Sequence, residues 1–140
     1  MTIREMQEKD YSEVSAMWQV TSRRALSKSD GREEICRYLK RNEGLSVVAL
    51  ENGKIIGAVL AGHDGRRGFL HHMAVLPQYR RHGVARQMAQ AALEGLQKEG
   101  IDKTHIFVFS DNQAGQAFWS SMGFLRREDV LVYSCEHGSI

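Results

Sequence analysis

The sequence contains little proline and cysteine and no long apolar run. Only one of its 140 residues is proline and two are cysteine. The cysteines, Cys36 and Cys135, form no metal-binding spacing with histidine, and no run reaches the ~18 apolar residues that a membrane span needs. Residues 2–10 are mostly polar and lack the pattern of a secretory signal. These absences predict a cytoplasmic protein with reduced thiols, no metal and no membrane association.

The formal net charge of the chain is small and argues against nucleic acid as a partner. The chain has 19 basic and 17 acidic residues and a formal net charge of +2. Because the basic residues cluster locally and do not form long blocks, nucleic-acid binding is not expected, and a small anionic ligand accounts for them. The length predicts a single domain, residues 1–140, with one continuous core.

Residues 68–90 have the pattern of a strand, a basic turn and a helix. The apolar segment 69–76 has the length of a strand and is followed by Pro77, which cannot donate to a sheet ladder. From Val84 onward, apolar or small residues recur at the spacing of one helical face, and Gly100 is the expected stop. The pattern therefore places a helix N-terminus shortly after a strand.

The basic turn, residues 80–86, predicts a phosphate-binding site. The first turn of a helix exposes about four unpaired N–H groups and roughly half a positive charge. Gly83 and Ala85 leave this backbone open to close approach. Neither the Walker nor the Rossmann glycine pattern is present, and an ordinary strand–helix junction with solvated arginines is the alternative. The residues expected to hold the phosphate are Arg80, Arg81, His82, Gly83, Val84, Ala85 and Arg86.

Two segments carry a resemblance to a known family. Residues 80–85, Arg-Arg-His-Gly-Val-Ala, preceded by Met-Ala-Val-Leu-Pro-Gln-Tyr in residues 73–79, resemble the Arg/Gln-x-x-Gly-x-Gly/Ala acyl-CoA signature of the GNAT superfamily of N-acetyltransferases. Residues 112–124 resemble the family's segment that begins with Asn and ends with Gly-Phe, at matching spacing. The resemblance is clear from Gly57 to Phe124, about half of the chain.

The resemblance implies a mixed α/β fold of the α+β kind. Its central sheet would be mostly antiparallel, with six or seven strands, splayed in the middle and flanked by about four helices. The strands over residues 70–76 and 103–109 would splay apart and admit acetyl-CoA as the co-substrate. From the residues themselves, Asn52-Gly53 between two apolar runs predicts a hairpin, and residues 124–134 predict a final strand pair.

The resemblance also implies how acetyl-CoA is held. The pantetheine amides would pair with the strand segment formed by Met73, Ala74 and Val75, through the backbone of Met73 and Val75. The pyrophosphate would be held by the N–H groups of residues 81–86. Asn112 would reach the pantetheine arm. The same residue is a good N-cap for a helix that follows it, and the two roles are compatible.

The catalytic acid departs from the family pattern. Where many members have a tyrosine, this chain has Trp119, whose indole N–H donates a hydrogen bond but does not release a proton at accessible pH. The general acid is therefore unassigned.

Two histidines are the candidates for the catalytic base. Some family members carry a glutamate two residues before the position of Met73, and here that residue is His71, followed by His72. The ordinary pKa of histidine, near 6.5, suits a base at neutral pH. Regular strand alternation would place His71 on the face of Phe69 and Met73 and His72 on the opposite face, so that only one reaches the cleft. The alternative is that both are structural.

The resemblance implies an enzyme that moves an acetyl group from acetyl-CoA to a primary amine by direct transfer in a ternary complex. A non-catalytic acyl-CoA-binding module is the alternative, and Trp119 favours it, whereas the intact basic turn and the histidine pair favour the enzyme. The acceptor, a small-molecule or peptide amine, is not encoded in a recognisable motif. The sequence is compatible with a homodimer.

Overall fold

The computed structural model describes residues 1–138 of the chain. They fall into two compact units, Met1–Phe107 and a second that begins at Val108. The strands are β1 Thr2–Glu5, β2 Val47–Glu51, β3 Lys54–His63, β4 Gly68–Val75 and β5 Thr104–Ile106. The α-helices are α1 Tyr11–Thr21, α2 Arg32–Arg41, α3 Val84–Lys98 and α4 Gln113–Ser121. No helix in this part of the chain is long and apolar enough to cross a membrane.

The first unit contains one sheet of five strands in the order β1-β2-β3-β4-β5. Neighbouring strands are antiparallel except β4 and β5, which are parallel because α3 connects them. Asn52 and Gly53 have φ angles of 51° and 77°, the left-handed values that a tight hairpin turn requires. The predicted hairpin between β2 and β3 is confirmed.

The two faces of the sheet are covered by different helices. Helix α3 packs on one face, where a Cβ added at Gly57 would lie 2.8 Å from Met88 Cε, so helix and strand approach closely at this glycine. Gly100, with a φ of 85°, follows the end of α3 as predicted. Helices α1 and α2 contribute to a core cluster on the other face. Its buried members are Met6, Val14, Met17, Trp18, Ile35, Leu39, Val48, Ile55, Ala58, Leu60 and Ala74.

The C-terminal strands differ from the prediction. Strand β5 ends at Ile106, although the apolar run continues to residue 109, and within the described residues 124–138 there is no helix or strand. Tyr133 is 89% exposed and Leu131 80%. Apolar alternation does not form a strand without a pairing partner and a surface to cover it. The described sheet thus has five strands where six or seven were predicted, whereas the mixed α/β class and the four α-helices are confirmed.

Candidate active site

Strand β4 carries a bulge at His72. The β3–β4 register shifts between Ala58 and Leu60, so one residue of β3 opposes both His72 and Met73. His72 has a φ of 52°, in the left-handed region that non-glycine residues rarely adopt. After a bulge of this kind, the backbone and side chain of each following residue face the side opposite to the one they would face in a regular strand. A one-residue slip of register has the same effect.

The bulge turns the backbone of Met73 and Val75 away from β3. The N–H group of Leu76 donates to the carbonyl of Ile56 at 2.9 Å. Because directly bonded positions alternate along an antiparallel pair, the backbone of Ala74 also faces β3. The N–H and C=O groups of Met73 and Val75 therefore point to the β5 side of the strand.

The β5 side of β4 is open over this segment. The β4–β5 ladder ends where Leu70 pairs with Ile106, whereas β4 continues to Val75. Within residues 1–107, no strand pairs with this edge beyond Leu70. A ligand with extended amide groups can pair there as an added strand would. The early end of the ladder marks where the predicted splay between the two strands would begin.

The basic turn leads from β4 into an open helix N-terminus. Gly83 is the N-cap residue of α3, has a φ of 78° and makes no side-chain cap. A Cβ added there would have Gln87 Nε2, at 3.9 Å, as its nearest neighbour, so the backbone is accessible. Arg80 Nε donates to Val75 O at 3.3 Å and ties the turn to the end of the strand. The exposed residues of the turn are Arg80, Arg81, His82, Gly83 and Arg86.

These features fit a phosphate group. The first helical turn presents backbone N–H groups that can donate to its oxygens, and the glycine N-cap leaves room for it. Arg81 has a φ of 65°, so the turn contains two left-handed residues in total, Arg81 and Gly83. Val84 is buried, and it anchors the start of the helix against the core.

Both candidate base residues lie on the face of the sheet that α1 and α2 cover. The His71 ring is parallel to that of Phe69 at 6.0 Å between centroids, and Tyr38 of α2 meets it edge-on at 6.4 Å. The His72 ring lies 5.0 Å from that of Trp18 in α1. The prediction of opposite faces was wrong, because the bulge interrupts the alternation on which it depended.

His72 is bound by groups that hold it in place. Its Nε2 lies 2.8 Å from Asp30 Oδ1, and the two side chains are 13% and 10% exposed. Trp18 Nε1 donates to the carbonyl oxygen of His72 at 3.3 Å. One ring nitrogen of His72 therefore has a carboxylate partner, and the contacts with Trp18 fix both its ring and its main chain.

His71, the other candidate base, has different surroundings. Neither of its ring nitrogens has a hydrogen-bond partner among the described residues. Burial lowers the pKa of His71 below the ordinary histidine value, the nearby charge of His72 lowers it further, and Asp30 opposes the shift. The imidazole is neutral at neutral pH and can accept a proton. The ring of Phe107, 62% exposed, lies 6.0 Å from it.

Sequence reasoning missed the contributions of Asp30 and Tyr38. Asp30 is 42 positions from His72, and no local pattern connects them. Tyr38 belongs to α2, and its hydroxyl is buried without a hydrogen-bond partner in the described chain. Burial raises the pKa of Tyr38 to about 12, so its phenol stays neutral. Helical periodicity indicates that this residue faces inward, but not that it meets His71.

The second unit contains the remaining predicted residues. Asn112 Oδ1 accepts from the N–H of Gly115 at 2.9 Å, which confirms Asn112 as the N-cap of α4; its contact with a pantetheine arm stays a prediction. Trp119 is 9% exposed and meets Phe118 and Phe124 edge-on at 4.8 and 5.0 Å. Its surroundings within this unit are those of a packing residue.

The chain is similar to acetyltransferases in both sequence and fold. A model of the acetyltransferase (GNAT) family matches residues 3–124. An acetyltransferase of Yersinia pestis (strain Pestoides F) is 30% identical over 132 residues, which cover 94% of this chain and 93% of the relative. The aminoglycoside antibiotic 6'-N-acetyltransferase of Acinetobacter haemolyticus has a similar structure, with a TM-score of 0.78, 22% identity, and 97% and 99% of the two chains covered. The PaiA N-acetyltransferase of Thermoplasma acidophilum, in complex with coenzyme A, has a TM-score of 0.74, 16% identity, and 86% and 87% covered.

Proposed function

This chain belongs to the acetyltransferase (GNAT) family, and we propose that it moves an acetyl group from acetyl-CoA to a primary amine by direct transfer in a ternary complex. Family membership makes it an acetyl-CoA-dependent N-acetyltransferase. The single observation that carries the proposed mechanism is the junction of β4 with α3. There an open strand edge, from Met73 to Val75, is followed by an open helix N-terminus at Gly83.

The binding residues suit two polar parts of acetyl-CoA, the amides of its pantetheine arm and its pyrophosphate. The same molecule supplies the reactive thioester, whose thiolate is the leaving group. The outward backbone groups of Met73 and Val75 pair with amides of the pantetheine arm, as a neighbouring strand would. The N–H groups of residues 81–86 bind the pyrophosphate, and the arginines of the turn balance its charge. Together these contacts place the thioester beyond the end of the β4–β5 ladder.

The proton of the amine is taken up by His71 in this proposal. A protonated amine cannot attack a carbonyl, so a base must remove one proton before or during the attack. His71 suits this task because its lowered pKa keeps it neutral and because no described residue occupies its ring nitrogens. The proton moves from the amine nitrogen to a nitrogen of His71, directly or through one water. The C–S bond then breaks, the thiolate leaves with that bond's electron pair, and the second proton of the attacking nitrogen is lost to solvent, because no acid is assigned.

The acceptor approaches the face of the sheet that carries His71. Tyr38 from α2 and Phe107 at the end of β5 border this imidazole, and neither side chain is charged at neutral pH. The acceptor in this proposal is a small-molecule or peptide primary amine.

A screen of primary amines tests the function. The purified protein is incubated with acetyl-CoA and a library of small-molecule and peptide amines, and free CoA thiol and acetylated product are measured. We expect CoA release that depends on the amine. The matched control is Gly83→Asp, which introduces a carboxylate at the phosphate site and should abolish turnover while the protein stays folded.

One outcome would contradict the enzymatic proposal. If the protein binds acetyl-CoA tightly but releases no CoA with any class of amine, it acts as a non-catalytic acyl-CoA-binding module. Calorimetry with acetyl-CoA, carried out on the same preparation, separates that result from a loss of binding.

A further inference from the structure

The left-handed conformation of His72 requires support from the rest of the fold. Its φ is 52°, and residues with a Cβ disfavour this region because Cβ approaches the following carbonyl oxygen. Such a conformation persists only where surrounding contacts hold it. The bulge at this residue determines where the backbone of Met73 and Val75 points, so whatever holds His72 also sets that direction.

Two residues of the α1–α2 region make these contacts. Asp30 Oδ1 lies 2.8 Å from His72 Nε2. Trp18 donates from Nε1 to the carbonyl oxygen of His72 at 3.3 Å, and the two rings are 5.0 Å apart. His72 is therefore held by its side chain and by its main chain.

Both of these residues are themselves fixed. Trp18 is 0% exposed and belongs to the core cluster. Asp30 Oδ2 accepts from the N–H of Ser27 at 2.9 Å, and the Asp30 carbonyl accepts from the Tyr11 hydroxyl at 2.7 Å. The contacts on His72 thus come from an ordered part of the α1–α2 region, which can impose a backbone conformation on β4.

We propose that Asp30 and Trp18 are positioning residues for acetyl-CoA, because they hold the bulge at His72 that directs the backbone of Met73 and Val75 toward the co-substrate. The inference rests on the proposed function. Without the bulge, a one-residue slip would turn those two residues back toward β3 and present the backbone of Ala74 at the open edge. Neither positioning residue needs to contact acetyl-CoA or the amine.

Glycine provides a direct test, since it adopts the left-handed region without support. Asp30→Ala should weaken CoA binding, measured by calorimetry, by roughly 5- to 30-fold, the factor that corresponds to the usual preference against a left-handed non-glycine residue. Adding His72→Gly to Asp30→Ala should restore most of the affinity. Trp18→Phe keeps a buried ring but removes the N–H donor, and it should show a smaller loss that His72→Gly also restores.

The matched control is a second histidine–carboxylate pair among the described residues. His63 Nε2 lies 2.8 Å from Glu99 Oε1, so Glu99→Ala removes the same kind of partner at the other end of the β3–β4 pairing, away from the bulge. We expect CoA affinity to be unchanged in this variant. Affinity equal to wild type in Asp30→Ala, or no recovery on adding His72→Gly, would overturn the proposal, because an effect through loop stability alone is not repaired by glycine at residue 72.

Amide hydrogen exchange in the unliganded protein separates this inference from the proposed function. In the bulged register the Ala74 N–H is bonded to β3 and exchanges slowly, whereas those of Met73 and Val75 exchange fast. Asp30→Ala should accelerate hydrogen exchange of the Ala74 N–H, and adding His72→Gly to Asp30→Ala should slow that exchange again. Unchanged Ala74 exchange in Asp30→Ala would overturn the inference whatever the affinity. A wild-type protein that binds no CoA would contradict the proposed function, and the exchange pattern would still decide the role of Asp30.

Discussion

The imidazole of His71 lies parallel to the ring of Phe69, with 6.0 Å between the centroids and 2° between the planes. Phe107 lies 6.0 Å from His71 and 6.2 Å from Phe69, so three rings support one another. The orientation of the imidazole is thus set by ring contacts, and no described residue forms a hydrogen bond with its nitrogens. This arrangement suits the base role proposed for His71.

His71→Ala should reduce kcat/KM by about 10² to 10⁴, mostly through kcat, because base catalysis typically contributes that factor. Single-turnover rates with a reactive amine measure it. The control is His105→Ala, which removes another ring that lies 5.7 Å from Phe69 and should have a small effect. Equal rates in wild type and His71→Ala across about pH 6 to 9 would mean that the amine enters already neutral or uses another group.

The pH profile of kcat/KM should shift in opposite directions when Asp30 and His72, the two neighbours that affect the pKa of His71, are substituted. The neutral imidazole is the active form and its pKa is lowered, so the acid limb of kcat/KM should lie below the ordinary histidine value near 6.5. Asp30 raises the pKa of His71, so Asp30→Asn should move the limb to lower pH. His72 lowers that pKa, so His72→Asn should move the limb to higher pH. Limbs that coincide in all three proteins would assign the titration to a different group.

Gly83→Asp should weaken acetyl-CoA binding far more than Gly83→Asn. Both substitutions place a side chain of similar size at a residue with a φ of 78°, and asparagine tolerates that region. Only the aspartate adds a negative charge at the helix N-terminus, where it competes with phosphate, and we expect a difference of about tenfold or more. Calorimetry measures both affinities. Equal affinities for the two variants would remove the basic turn from the binding site.

Trp119→Phe should keep most of the transfer activity if the indole serves packing. Its contacts with Phe118 and Phe124 are ring contacts, which phenylalanine partly preserves. Trp119→Tyr restores the phenol found in many relatives and should raise kcat if an acid limits the rate. A severe loss of kcat in Trp119→Phe with unchanged acetyl-CoA affinity would show that the indole N–H takes part in catalysis.

The Arg4–Asp10 pair should stabilise the fold in a pH-dependent way. Arg4 donates from two nitrogens to Asp10 at 2.8 and 2.9 Å, and the N–H of Gln7 also donates to Asp10 at 2.8 Å. Burial raises the pKa of Asp10, but these hydrogen bonds outweigh it and hold the pKa below 3.8. The contribution is therefore complete above that ordinary value and is lost as the pH falls through the lower folded pKa.

Urea unfolding measures this contribution. Arg4→Ala should lower the free energy of unfolding by about 1–3 kcal/mol at neutral pH, and the difference from wild type should shrink at a pH below the folded pKa of Asp10. Asp102→Ala removes the exposed partner of Arg67, 86% exposed, and should change it by less than about 1 kcal/mol. Equal losses of unfolding free energy in Arg4→Ala and Asp102→Ala would show that the Arg4–Asp10 pair contributes no more than an exposed ion pair.

The sequence by itself determined the features that depend on neighbours along the chain. The start of α3 at Val84 follows from helical periodicity after a glycine, and the β2–β3 hairpin follows from Asn52-Gly53, because a turn and a helix end are built from bonds between residues a few positions apart. The motif around Gly83 identified the family for the same reason.

Only the tertiary structure decided the features that depend on register and long-range packing. The bulge at His72 arises from the pairing of β4 with β3 and from contacts with Asp30 and Trp18, and it places His72 on the same face as His71. The apolar pattern at residues 124–134 formed no strand in the described chain, although its local signal was clear. Local alternation does not encode which strand supplies the ladder or where a register shifts, since both are set by the packing of segments distant in sequence.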